Sequence, residues 1–207
     1  MTIGVGGSTA TRELAAMKSM RGDAPPIDTA ERQRRIERAQ ALMQAQGIDA
    51  IWLDVSTSLT YFTGLRLGRS ERLHGALLPA KGGLTYLSPA FEVEKLKTMI
   101  TLPGEIASWD EHEDPTALLV DTLRAQGIAH GRIGVDEATP FATFDGLRRA
   151  GNSYDYVNAS LITSACRSAK TEAEIALMQT AKNITLEVHK AAARILHVGI
   201  TTTEVQA

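Results

Sequence analysis

A chain of 207 residues with 43% hydrophobic and 22% charged side chains has the apolar material for a sizeable core, which excludes a disordered or fibrous protein. Its formal net charge of -2 supplies no long-range field for a polyanion, so nucleic acid is not an expected partner. Met1 to Ala10 lack the charged start and apolar run of a secretory signal, no stretch of about 18 apolar residues occurs, and the single cysteine, Cys166, permits no internal disulfide; the expectation is a cytoplasmic protein with no membrane contact.

In chain order, residues 1–27 read as an amino-terminal extension, Gly-rich and then broken by Pro25-Pro26, with a short helix between Thr11 and Met20. Gly4-Val5-Gly6-Gly7-Ser8-Thr9 is phosphate-loop-like in composition only, because no strand precedes it. Asp28 and Glu31 form a helix-start pair. Ile36, Ala39, Leu42 and Met43 follow at helical spacing until Gly47, and the interleaved charges Arg32, Arg34, Arg35 and Arg38 read as a solvated face. Ile48 to Val55 reads as a buried strand and Ser56 to Phe62 as a short helix stopped at Gly64. The apolar runs Leu73 to Pro79 and Leu84 to Leu87 flank Ala80-Lys81-Gly82-Gly83, which has the length and chemistry of a hairpin connection.

Pro89 to Ile100 returns to helical spacing, Glu105 to Trp109 is a strand, and a helix opened by Pro115 runs to Gly127. Arg132 to Asp136 is a further strand, then a helix covers Phe141 to Ala150 and a strand Tyr154 to Val157. The alternation, with one hairpin, predicts an α/β domain over residues 28–167: a mixed β-sheet flanked by helices. Residues 168–207 read as a linker and the start of a second domain. Thr171 and Glu174 make a capping box for a long helix striped by Ile175, Met178, Ala181, Ile184, Val188, Ala191 and Ile195, and Thr201 to Glu204 is a second capping box close to the end of the chain.

Asp49-Ala50-Ile51 with Ser58-Leu59-Thr60-Tyr61-Phe62-Thr63-Gly64, Leu84 to Glu92, Arg167 to Ile175, and Gly199-Ile200-Thr201-Thr202-Thr203-Glu204-Val205 stand in this order along the chain. Together they resemble segments of the creatinase-type amino-terminal domain of Xaa-Pro aminopeptidases, prolidases and creatinases. The resemblance covers roughly residues 30 to 207. It implies the creatinase amino-terminal fold followed by the first long helix of a pita-bread domain. It also implies a non-catalytic role in a proline-directed metallopeptidase: oligomer contacts and restriction of substrate size. The parent's two divalent ions, manganese, zinc or cobalt, are implied to be held by two Asp, one His and two Glu beyond Ala207, so this chain carries no catalytic residue, no metal site and no cofactor. Peptide substrate belongs to the full-length protein, and a homodimer or higher homo-oligomer is implied. A creatinase-like amidinohydrolase parent and a non-enzymatic binding module are the alternatives.

Among the chain's own residues, Arg66, Arg69, Arg72 and His74 fall in one short loop. The resemblance makes them candidates for contacting substrate across a subunit interface, where guanidinium groups pair bidentately with carboxylates. Trp109 is a further candidate; an ordinary charged surface loop is the competing reading. Asp110 to Asp114, with His112 among the acids, reads as a solvated loop with Asp114 capping the next helix. His189 and His197 lack a metal-binding spacing.

Overall fold

The computed structural model describes residues 2–206 and separates into two units, one spanning residues 28–169 and the other combining the described residues up to 27 with those from 170 onward.

In the larger unit the Asp28 carboxylate accepts the Glu31 amide at 2.7 Å and so caps helix α2 (Thr29–Gln46). Ile36, Ala39 and Met43 lie at helical spacing and are buried, and Gly47, at φ 65°, supplies the left-handed stop. The charged run on this helix is not a wholly solvated face. Glu31 and Arg35 are buried, and Arg35 donates to Glu31 at 3.3 Å and to the Tyr61 carbonyl at 2.9 Å while lying 4.0 Å over the Tyr61 ring. The arginine stem packs while its planar head finds an aromatic face and two acceptors, a possibility that charge periodicity does not reveal.

Strands β1 (Ala50–Asp54), β2 (Gly75–Pro79), β3 (Leu84–Pro89), β4 (Gly104–Trp109), β5 (Gly131–Val135) and β6 (Tyr154–Asn158) form one sheet in the order β4-β3-β2-β1-β5-β6. The β2–β3 hairpin and the β1–β2 pair are antiparallel, whereas β3–β4, β1–β5 and β5–β6 are parallel. Side chains alternate across β1. Ile51 and Leu53 join a core with α2, α3 (Thr57–Thr63), α4 (Val93–Met99) and α7 (Ser160–Ser168), and Ala50 and Trp52 join a second core with α5 (Pro115–Ala125) and α6 (Phe141–Ala150). The sheet is thus covered on both faces, as its parallel pairs require. Helix α7 has no counterpart in the sequence reading. Its apolar residues Ile162 and Cys166 are few and are set among Ser and Thr, so the segment reads as a loop until they are seen buried against α2. Cys166 there is a packed thiol, pushed up by burial.

In the smaller unit, α1 (Ala10–Ala16) lies against α8 (Glu172–Ile195), whose reciprocal Thr171 and Glu174 capping box is present, and the short α9 (Thr202–Gln206) follows. Of the α8 stripe only Ala191 is buried; Ile175, Met178, Ile184 and Val188 remain exposed. No helix among the described residues is long and apolar enough to cross a membrane.

Backbone proximity at the centre of the sheet leaves no space beside Gly75. A Cβ there would collide with the Leu53 carbonyl oxygen and lie 2.5 Å from the Trp52 ring. Overpacking of this kind costs about 1–3 kcal/mol, so Gly75→Val should lower the urea midpoint with an unchanged slope and a loss of about 2 kcal/mol or more. An unaltered midpoint would show that β1 and β2 can separate without penalty.

Candidate functional site

The registers bring one edge of the sheet together. Asp54 stands opposite Gly75, Gly75 opposite Leu87, Pro89 opposite Trp109, and Val135 opposite Asn158, so the carboxyl ends of β1, β3, β4, β5 and β6 share an edge with the start of β2. From this edge β1 runs into α3 on one face of the sheet, while β5 runs towards α6 on the other. Neighbouring parallel strands whose chains leave to opposite faces define the topological switch point at which open α/β sheets take ligands. The loop from Gly64 to His74 leaves the end of α3 and ends on this edge at the start of β2.

Arg69 spans the switch point. Its Nε donates to the Val55 carbonyl at 3.3 Å and its Nη2 to the Ala138 carbonyl at 2.7 Å, which joins the chain just after β1 to the chain just after β5. Two carboxylates sit beneath. Asp54 accepts from the Val55 amide at 2.7 Å and the Trp52 indole at 3.2 Å, and Asp136 accepts from the Ser56 hydroxyl at 2.7 Å and the Ala138 amide at 2.8 Å. Both carboxyls are buried, and desolvation pushes both above the usual aspartate range; their proximity raises Asp54 further, against the pull of Arg69. Every carboxylate oxygen of the pair accepts a hydrogen bond, so the two acids act as tie points for the edge. The Ser56 hydroxyl, besides bonding Asp136, caps α3 through the Ser58 and Leu59 amides at 3.1 Å. Arg167 closes the periphery on Ser58 at 3.0 Å and on Glu137 at 3.4 Å.

The other loop residues divide by what they touch. Arg72 donates to Glu111 at 2.7 Å and Glu71 at 2.6 Å and lies 5.3 Å from the Phe91 ring, and the Glu111 carboxylate holds its guanidinium above its ordinary pKa. His74 is turned inward, with Nε2 3.5 Å from Glu92, and burial pushes its imidazole below the usual range, towards the neutral form. Trp109 is also buried, its indole donating to the Leu73 carbonyl at 3.3 Å. These two side chains anchor the end of the loop. Arg66 is exposed and makes no hydrogen bond or ion pair among the described residues; the nearby Arg32 guanidinium is lowered chiefly by burial and by Arg35, with Arg66 a smaller contributor. Arg66 is therefore the arginine of the loop with its donors available to an added anion.

The acidic loop behaves as its sequence indicates. His112 is exposed, Asp114 caps α5 through the Thr116 amide at 2.8 Å, and Glu113 accepts the Asp110 amide at 2.8 Å. Among the described residues no group of three or more His, Cys, Asp or Glu is placed to hold a metal ion. Neither acid was singled out by sequence reading. The available signal was an acid closing each of two apolar parallel strands, Ile51-Trp52-Leu53-Asp54 and Ile133-Gly134-Val135-Asp136.

The sequence profile of the creatinase/prolidase N-terminal domain matches residues 35–169. An uncharacterized peptidase of Staphylococcus haemolyticus is 25% identical over 171 residues, covering 83% of this chain and 47% of that protein. The crystal structure of the dipeptidase PepE from Mycobacterium ulcerans superimposes with a TM-score of 0.77 at 27% identity, over 87% of this chain and 48% of that one. The N-terminal domain of an Xaa-Pro dipeptidase from Lactobacillus brevis is covered over 99% of its length by 65% of this chain, with a TM-score of 0.58; at 17% identity the likeness is one of fold. The chain spans about half the length of the curated relatives it matches.

Burial of the Asp54 charge has a consequence with a definite sign. Its folded carboxyl titrates above the ordinary 3.8, so its stabilising contribution is complete below that value and is lost as pH rises through the raised one. The stability of the natural chain relative to Asp54→Asn, taken from urea midpoints, should therefore fall as pH increases from 3.8. A level difference would mean an unshifted carboxyl, and one that grows would mean that the site favours the charged carboxylate; either would overturn the expectation.

Proposed function

The chain belongs to the creatinase/prolidase N-terminal domain family, and from that premise we propose that it is the non-catalytic amino-terminal domain of a longer, proline-directed metallopeptidase. The observation that carries this reading is the match in extent. About two thirds of the chain accounts for nearly all of an isolated Xaa-Pro dipeptidase N-terminal domain, and the whole chain for about half of longer peptidases. The hydrolytic chemistry of such a parent, two divalent cations activating water, would be supplied by the other half; no step through those ions is assigned to residues of this chain.

What this domain contributes is position and charge. Arg69 and the two buried aspartates hold the switch-point edge in one geometry, Arg72, His74 and Trp109 fix the far side of the loop, and Arg66 is left to reach an anion. A peptide carboxylate is the matching group, since one planar guanidinium can bind it through two parallel bonds. In a homodimer the loop would face the active site of the second copy, and its bulk would limit substrate length. The exposed apolar residues of α8, Ile175, Met178 and Val188 among them, support association with further protein surface. A cytoplasmic setting belongs to the same reading.

Two measurements test it. The chain by itself, supplied with manganese, should leave Xaa-Pro dipeptides intact; turnover above the metal blank would overturn the assignment. In the full-length protein, Arg66→Ala should lower kcat/KM about ten- to a hundredfold, the loss expected for one charge-assisted hydrogen bond of about 1.5–3 kcal/mol, with little change in melting temperature. Arg69→Ala should instead loosen the loop and lower stability. Undiminished efficiency in Arg66→Ala would remove the substrate-contact role from this loop.

A further inference from the structure

The amino-terminal extension lies outside the segment matched by the family profile, and its contacts with α8 are specific. The Val5 amide donates to the Leu196 carbonyl at 2.7 Å. Gly4 and Gly6 pass directly over the end of α8. A Cβ on Gly4 would collide with the Arg194 carbonyl, and one on Gly6 would lie 2.6 Å from the Arg194 Cα, so only glycine admits the two backbones this closely. Thr9 caps α1 through the Arg12 amide at 3.3 Å, and α1 then presents Glu13, one of whose oxygens receives both the Nε of Arg194 at 3.0 Å and its Nη2 at 2.7 Å. The Glu13 side chain is only 12% exposed in this pairing.

The attraction is mostly ionic. Helix α1 buries no residue, and Ile3, Val5 and Leu14 face solvent, so little apolar area holds the segment down. Between α1 and α8 lies a cleft of about 440 Å³, walled by Met17, Met20, Ile184, Val188 and Ala191. A segment with one well-formed seat, a charged fastening and little buried apolar surface belongs at the low end of local stability, where opening precedes global unfolding.

We infer that residues 4–17 form a releasable latch on the carboxyl-terminal end of α8, seated by Gly4 and Gly6 and fastened by the Glu13 to Arg194 ion pair. Opening it uncovers Ala191, the buried residue of the α8 stripe, and joins it to Ile184 and Val188, which are already exposed. The latch is independent of the peptidase reading, because none of its contacts involves the family-matched residues 35–169.

Hydrogen exchange of the full chain, followed by mass spectrometry over residues 2–17 and 188–196, tests this directly. At low salt both segments should exchange more slowly than free peptide. Raising salt to about 1 M, where the Debye length is about 3 Å, should accelerate both together. Glu13→Gln and Arg194→Gln should each accelerate them about three- to tenfold, and the double substitution no more than either alone, as expected for one shared interaction. Gly6→Val should leave the segment open and trypsin-sensitive at Arg12 and Lys18 while exchange in residues 28–169 stays unchanged. Free-peptide exchange of residues 2–17 at low salt, additive effects of the two Gln substitutions, or acceleration spread over residues 28–169 would each overturn the latch.

Discussion

Strand β1 is buried along its whole length, hydrogen-bonded on one edge to antiparallel β2 and on the other to parallel β5, and every other part of the larger unit takes its position from that double pairing. No residue of β1 can turn to solvent, so each must find either an apolar neighbour or a polar partner. Ile51 and Leu53 fill one core, Ala50 and Trp52 the other, and Asp54, the one charged residue, is satisfied by the Trp52 indole and the Val55 amide. The close approach of Gly75 belongs to the same constraint. A larger residue at the start of β2 would push the central pair apart and with it the origin of the loop that leads into β2.

Burying Asp54 and Asp136 is unfavourable for their charged forms, and the fold keeps both at the point where β1 and β5 send the chain to opposite faces. Their hydrogen bonds order the turns beneath Arg69, whose two backbone bonds then bridge those turns. An arginine that looks from its loop position like a reaching side chain thus acts as a brace, whereas Arg66 has no hydrogen bond or ion pair among the described residues. The distinction is one of partners: the same guanidinium chemistry stabilises a loop when carbonyls stand within reach and recruits an anion when they do not.

The two units use charge differently. In the larger one, the Glu31 to Arg35 pair is enclosed by packing and by the Tyr61 ring, so it is part of a core that also holds Ile36 and Met43. In the smaller one, the Glu13 to Arg194 pair has an exposed arginine and borders an open cleft, which leaves the contact open to salt and to competing surfaces.

Local chemistry alone determined much of this protein: the caps at Asp28, Asp114 and Thr171, the Gly47 and Gly64 stops, the Ala80-Lys81-Gly82-Gly83 hairpin connection and the alternation that makes a mixed sheet. Those features were legible because each depends on residues a few positions apart. Helix α7 was not, since its two buried apolar residues acquire meaning only against α2, and neither was the burial of Arg35, which needs the Tyr61 ring from another helix. Of the candidate site, the arginine loop was visible and its division of labour was not. Val55 and Ala138 lie far from Arg69 in sequence, and Asp54 and Asp136 become neighbours only through the β1–β5 pairing. The seat of the extension on α8 follows the same rule, because it joins residues from opposite ends of the chain, and only tertiary structure can decide which distant backbone a glycine is small enough to meet.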